Sequence, residues 1–197
     1  MLNVIIFIAA YLICSINPAI IISKKVIGTD IRKVGSGNAG TTNALRTMGK
    51  GWGALVFILD CFKVVVSYWV MLALVNLFAD GVTSASKSFY LVGSIIGHCY
   101  PIYYSFRGGK GVAAMLIACS LIAPKPALVC IIVGIIIIIV GRMVSLGSVS
   151  AIGLFAVMIL VLEPQYAIGV SIAAFIIIYK HRSNIKRIIN KEENKLF

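Results

Sequence analysis

The stretch GSGNAGTTNALR, Gly35 to Arg46, lies between apolar runs at residues 2–22 and 53–78. It has glycines at 35, 37 and 40 and no apolar period, so it reads as a loop rather than a helix or strand. The runs on either side are long enough to cross a bilayer. Working outward and breaking the chain at Gly/Pro clusters and charges gives further apolar runs near 88–105, 111–123, 126–141, 149–162 and 166–180. The expected fold is an all-α integral membrane protein, one domain over 1–197, with about seven transmembrane helices. Several runs fall short of the ~20 residues of a perpendicular crossing. A five-crossing alternative turns on how the break at Ala123–Ala127, APKPA, is folded.

The composition agrees: 60% of the chain is hydrophobic, against roughly 45–50% in soluble domains. Charged residues make up 12% and gather in short interruptions between the apolar runs. A net charge of +12 would suit nucleic acid, but it falls in patches beside apolar runs rather than along one soluble face, so no nucleic-acid partner is expected. The five cysteines form no CxxC pair and mostly sit inside apolar runs, which argues against a disulfide or metal framework. No positive residue precedes the first run, and Lys24 and Lys25 follow it, the reverse of a secretory signal. It reads as a retained helix with its N-terminus outside.

With seven spans in that orientation, fifteen Lys and Arg fall on the cytosolic side and only Lys87 and Lys125 on the other; Lys63 lies within the second span. That is a positive-inside distribution. It puts the C-terminus and every glycine-rich polar segment on one face, at the cytosolic surface.

In the first loop the glycines let backbone N–H groups approach an anion, and Ser36, Asn38, Thr41, Thr42 and Asn43 add side-chain donors beside Gly37 and Gly40. Arg46 can hold phosphate or carboxylate through two parallel hydrogen bonds. A plain flexible connector is the competing reading, but it needs no such density of donors. A second segment, GHCYPIYYSFRGGKG at Gly97–Gly111, sets Gly108, Gly109 and Gly111 around Lys110 where a new apolar run begins, which makes a helix N-terminus suited to anions. It is not a Walker A loop, because Gly111 follows Lys110 and Tyr104 replaces the earlier glycine. RMVSLGS, Arg142–Ser148, offers Ser148 as one more wall. The tail segment that starts at Lys180 brings His181 and Asn184 to one helix face, and also carries Arg182 and Arg187; Lys186, Lys191 and Lys195 suit anionic lipid headgroups.

Asp60 and Lys63, three residues apart in an apolar run, can pair on a helix as part of the site or as a clasp beside it. His98 is either a ligand donor at a helix end or a residue that holds the second loop. No two acidic residues share a loop, which disfavours clustered-aspartate magnesium chemistry, and no metal is expected. The HxxxxD pattern of thioester-dependent acyltransferases is absent, with Tyr103 following His98 and Lys186 following His181 at the required spacing.

Taken in order, SGNAGTTN with Arg46, LDCFK, GHCYPIYYSFRGGKGVA, VSLGS and HRSNIKR resemble the motifs of the bacterial acyl-phosphate-dependent glycerol-3-phosphate acyltransferases, over nearly the whole chain. The resemblance implies a small enzyme of the bacterial plasma membrane with its site at the cytosolic surface. It would move a fatty acyl group from acyl phosphate to the 1-hydroxyl of sn-glycerol 3-phosphate, giving lysophosphatidic acid and phosphate. It further implies that Ser36, Arg46, Lys110, His181 and Asn184 are tied to catalysis, and that Thr42, Gly108, Gly109 and Ser148 hold phosphate. The expected partners are the two substrates and membrane lipid, with the protein monomeric and without a cofactor. The family's closing Gly-x-Glu is altered: Lys191 replaces the glycine and Glu193 keeps the acid, which questions the geometry of that turn.

An acyl phosphate is already activated, so direct transfer with the donor phosphate taking the proton is favoured. Ser36 as nucleophile with His181 as base remains the rival. A carrier for organic phosphates is a further alternative, but its sites would lie near the bilayer midplane. Transfer of a phospho-alcohol between lipids would need the missing acidic cluster.

Overall fold

The computed structural model describes residues 1–195, and the last two positions of the 1–197 domain lie outside them. Ten α-helices and no strand occur among the described residues: α1 Leu2–Cys14, α2 Pro18–Val26, α3 Thr41–Met48, α4 Lys50–Phe78, α5 Ser84–Cys99, α6 Val112–Ile122, α7 Pro124–Gly141, α8 Val144–Leu162, α9 Ala167–Lys180 and α10 Arg182–Ile189. Among the described residues four stretches are long and apolar enough to cross a membrane: Leu2–Val26, Lys50–Phe78, Pro124–Gly141 and Val144–Leu162. Val112–Ile122 and Pro164–Lys180 are shorter apolar helices.

Prolines and caps set the boundaries. The first run, expected as one helix, breaks at Ser15–Asn17 because Pro18 has no N–H and its ring would crowd the Cys14 carbonyl. Asn17 then caps α2, its side-chain oxygen accepting from Ile20 N at 3.1 Å. A capping box between Thr83 and Ser86 starts α5 earlier than expected, and Pro101 ends it at Cys99 rather than near 105. Pro124 opens α7 one residue after α6 ends, so the APKPA break is a sharp corner at Ala123. The polar stretch Val144–Ser148 forms the first turns of α8 and is not a loop.

Small residues bring the helices close, which matters where the hydrophobic effect does not drive helix against helix. Gly93 and Gly97 on α5 face the α1 backbone at Phe7 and Tyr11; a Cβ on Gly93 would stand 2.6 Å from the Phe7 carbonyl. Gly134 on α7 meets Ala151 on α8 in the same way. The main core includes Ile6, Val64, Tyr90, Ile95, Ala118, Ile159 and Ile177. A smaller one, with Ile20, Ile31, Ala39, Ala44 and Val56, anchors the first loop. Trp69, Val140, Val161, Ile168 and Phe175 point outward and are more than half exposed, which suits lipid rather than water. Loops 27–40, 100–111 and 142–143 and the tail after α9 gather at one end.

Candidate active site

At that end a cavity of about 510 Å³ is lined by the first and second loops, the first turns of α3, α6 and α8, and the tail. Ser36, Gly37, Asn38, Gly40, Thr41, Thr42, Asn43 and Arg46 come from the first loop and α3, and His98, Gly108, Lys110 and Gly111 from the second. Ser148 comes from α8, and His181, Arg182 and Asn184 from the tail. Of the residues expected from sequence only Gly109 stands behind the wall. A Cβ there would strike the His98 ring and come within 2.8 Å of the Ala39 carbonyl, so glycine lets the two loops touch.

The first loop is shaped from inside. Asn43 is buried, its side-chain oxygen accepting from Ser36 N at 2.9 Å and its NH₂ donating to the carbonyls of Ile31 and Val34. Its donors are therefore spent on the loop itself. Gly35 and Gly37 hold positive φ, of 58° and 70°, beside it. Ser36 is exposed to the cavity, and Arg46 is exposed with no hydrogen-bond or carboxylate partner among the described residues. A clamp unseen in the sequence ties the loops from outside. Arg32 pairs with Asp30 at 2.7 Å and donates to the carbonyls of Tyr104 and Arg107 in the second loop. Hydrogen bonds from Arg32 pull the Asp30 carboxyl below its usual range against a smaller opposing effect of burial.

The second loop folds back on the end of α5, Gly108 N and Gly109 N donating to the carbonyls of Cys99 and His98. This aims Lys110 at the tail, where its Nζ donates to the side-chain oxygen of Asn184. Asn184 passes the contact on, its NH₂ donating to Glu193 Oε1 at 2.6 Å; Ser145 Oγ donates to the same oxygen at 2.7 Å. Arg187 Nε donates to Glu193 Oε2 at 2.7 Å. Burial raises the Glu193 carboxyl, but the hydrogen bonds from Ser145, Asn184 and Arg187 outweigh it and hold it below 4.5. Burial pulls the Lys110 ammonium down to about 8; Glu193 opposes the shift, and Arg187, Lys180 and Arg46 add to it.

The turn questioned at Lys191 is a Schellman motif. After α10, Lys191 N donates to the Ile188 carbonyl and Glu192 N to that of Arg187, with Lys191 left-handed at φ 62°. Lysine tolerates this at a cost of about 1 kcal/mol relative to glycine. Glu193 reaches its partners because the backbone keeps the geometry that glycine would favour.

His181 Nδ1 lies 2.8 Å from the Ile177 carbonyl, which can only accept, so Nδ1 carries the proton of the neutral ring and Nε2 is the acceptor. Burial lowers its pKa, with Lys110 adding and the Ile177 hydrogen bond opposing, so the ring is neutral at pH 7. Ser148 Oγ donates back to the Val144 carbonyl. Arg182 stacks over the Tyr179 ring at 4.5 Å.

Five cations, Arg46, Lys110, Lys180, Arg182 and Arg187, line the cavity against two carboxylates, Asp60 and Glu193, each already paired with a cation. Arg187 lines the cavity with the tail residues His181, Arg182 and Asn184 beside which the sequence sets it; Ser145, Lys180 and Glu193 were not expected in the site, and the acid was noted only as part of an altered motif. The cavity shares Val112, Leu116 and Ser148 with an apolar groove between α6, α7 and α8, which runs on past Met115, Gly134, Ile138 and Phe155. Positive charge at a water-facing mouth, continuous with an apolar groove, suits a ligand with an anionic head and a long hydrocarbon tail.

Residues 4–191 match the family model for glycerol-3-phosphate acyltransferase. A glycerol-3-phosphate acyltransferase of Clostridioides difficile is 38% identical over 98% of this chain and 95% of its own length. One from Halalkalibacterium halodurans is 39% identical over 96% and 93%. The crystal structure of PlsY (YgiH), an integral membrane glycerol 3-phosphate acyltransferase, in its glycerol 3-phosphate form superposes with a TM-score of 0.86, at 34% identity over 98% of this chain and 94% of that one. Its lysophosphatidic acid form gives a TM-score of 0.83 at 32% identity. With its apolar helices, its cationic cavity and this similarity along nearly its full length, the chain is a multi-pass membrane protein that belongs to the glycerol-3-phosphate acyltransferase family.

Proposed function

We propose that this protein transfers a fatty acyl group from acyl phosphate to the 1-hydroxyl of sn-glycerol 3-phosphate, releasing lysophosphatidic acid and inorganic phosphate. The observation that carries this reading is one cavity holding Ser36, Arg46, Lys110, His181 and Asn184 and running into an apolar groove. The solved relatives bear glycerol 3-phosphate and lysophosphatidic acid, a substrate and a product of such a transfer. The positive-inside distribution supports seven crossings with the N-terminus outside and the cavity at the cytosolic face of the bacterial plasma membrane.

Each substrate carries a dianionic phosphate. Two such groups about 7 Å apart repel by ~2 kcal/mol in water and by ~10 kcal/mol at an effective dielectric of 20. Arg46 and Lys110, with Arg182 at the rim, offset that repulsion so that both can enter. The first loop and Arg46 hold one phosphate; Lys110, Gly108, Ser148 and the first N–H groups of α6 hold the other. The acyl chain lies along the α6–α8 groove.

The hydroxyl oxygen attacks the acyl carbonyl carbon, the bond from that carbon to the phosphate oxygen breaks, and phosphate leaves. The hydroxyl proton passes to a phosphate oxygen of the donor. Ser36 orients this exchange as a hydrogen-bonding group, and neutral His181 accepts a hydrogen bond at Nε2. Direct transfer is favoured over an acyl-Ser36 intermediate because the acyl phosphate is already activated and no hydrogen bond joins Ser36 to the free Nε2 of His181. Asn184 and Asn43 act as braces, the first for Lys110 and the second for the loop around Ser36.

The test is purified protein in detergent with acyl phosphate and glycerol 3-phosphate but no added metal. Release of phosphate and lysophosphatidic acid only when both substrates are present supports the reading; no release refutes it.

A further inference from the structure

Asp60 and Lys63 sit on α4, which contributes no motif loop, yet they touch the supports of both anion-binding loops. Lys63 Nζ pairs with Asp60 Oδ1 at 2.8 Å and donates to the Ile16 carbonyl at 2.8 Å. Ile16 lies in the break between α1 and α2, and its neighbour Asn17 donates from Nδ2 to the Ala39 carbonyl in the first loop. On the other side, His98 Nδ1 stands 3.4 Å from Asp60 Oδ1. The His98 ring packs against Gly109 and its carbonyl accepts from Gly109 N, immediately before Lys110. One ion pair thus lies between the loop that bears Ser36 and the loop that bears Lys110.

All three side chains are buried, Asp60 to 1% exposure, Lys63 to 6% and His98 to 3%. A buried ion pair contributes little net stability compared with apolar residues of similar volume. Ionised groups in an apolar helix are costly and are kept for a task. The outer clamp, Arg32 on Tyr104 and Arg107, joins the loops at the surface; Asp60, Lys63 and His98 join them at the cavity floor, where Asp60 and His98 form part of its lining.

We infer that Asp60, Lys63 and His98 form a positioning strut that fixes the spacing of the two phosphate-holding loops, and so the alignment of acceptor hydroxyl and donor carbonyl. This rests on the acyl-transfer reading above. Each loop keeps its own donors without the strut, so a phosphate still binds, but the two substrates no longer meet in register. Misalignment of the reacting atoms lowers kcat while leaving ground-state affinity nearly intact. A role in folding alone would instead reduce the amount of active protein, and the folded fraction would keep normal kinetics.

The experiment compares the full-length parent, the double variant Asp60→Leu/Lys63→Leu and the single variant His98→Gln, all purified in detergent. Three quantities are read: glycerol 3-phosphate affinity by calorimetry, kcat per folded molecule at saturating substrates, and hydrogen exchange of residues 35–43 and 106–111. The strut predicts affinity within about threefold of the parent, kcat lower by tenfold or more, and faster exchange in both loops with α7 and α8 unchanged. Parental kcat with parental loop exchange in the double variant overturns it. So does a loss confined to affinity. If the double variant does not fold, His98→Gln decides by the same criteria. A parent that fails to turn over refutes the acyl-transfer reading instead, and the exchange measurement still decides the strut.

Discussion

Lys110 on the second loop donates its ammonium proton to the side-chain oxygen of Asn184, 74 residues further along the chain. This contact joins a glycine-rich turn to the tail and puts the ammonium group under the control of Glu193. Its pKa is depressed to about 8, first by burial, with Glu193 opposing the shift. Lysine is cationic below its pKa, so the charge an ordinary lysine would keep up to about 10.5 is here lost from about pH 8 upward. The kcat/KM for glycerol 3-phosphate is expected to fall as pH rises through about 8, because that parameter reports the free enzyme. In Lys110→Arg the alkaline fall should disappear, since guanidinium stays charged. Lys110→Ala should lose about 10²–10³ in kcat below pH 8, and the deficit should shrink above it as the parent's own ammonium deprotonates.

Glu193 is where Ser145, Asn184 and Arg187 converge. Glu193→Ala should lower kcat by about tenfold, equivalent to ~1.4 kcal/mol of barrier, by freeing the Asn184 amide that directs Lys110. The folded carboxyl is depressed, so the clasp's stabilisation is fully present above 4.5 and is lost as pH falls through the lower folded value. Exchange of the tail amides measured against pH checks this. In Glu193→Ala the exchange should be fast throughout.

Lys191 occupies a left-handed position that glycine takes without strain. Lys191→Gly should stabilise the protein by about 1 kcal/mol, raising the melting temperature by roughly 2–4 °C for a chain of this size. Activity should stay at the parental level. A fall in melting temperature would contradict the turn assignment.

Asn43→Ala removes three hydrogen bonds that shape the loop around Ser36 and leaves buried backbone groups unpaired, at ~1–3 kcal/mol each. Affinity for glycerol 3-phosphate should drop at least tenfold even though the amide's donors never face the ligand. Gly109→Ala should be equally damaging, since its methyl would enter the His98 ring. Incubation with acyl phosphate alone should leave Ser36 unacylated by mass spectrometry; a stable adduct would establish the covalent route.

The apolar runs were legible because a helix with a lipid-facing side must be apolar over its length, and most became helical within a few residues of their expected ends, the run expected to reach 105 stopping at Cys99. The Asp60–Lys63 pair followed from its i,i+3 spacing. The break at Ser15–Asn17 was missed because hydropathy runs straight through it, although Pro18 carried the signal. Val144–Ser148 looked like a loop because serines and a glycine interrupt the apolar pattern, yet at a helix start they cost little. The membership of the cavity was largely readable, since glycine-rich donor loops stand out against an apolar chain. Its supports were not. Arg32 resembled one more surface cation, and the inward turn that delivers Glu193 is hidden by a lysine where glycine would have announced it.

The most direct measurement is sided labelling. Ser36→Cys and Lys110→Cys are made separately in a chain lacking its five native cysteines, and each is treated with a membrane-impermeant thiol reagent in intact cells and in inverted vesicles. Both positions should react only in inverted vesicles, and glycerol 3-phosphate together with acyl phosphate should protect both. Reaction of the two positions from opposite sides of the membrane, or protection of neither, would contradict a single cytosolic cavity that serves both phosphates.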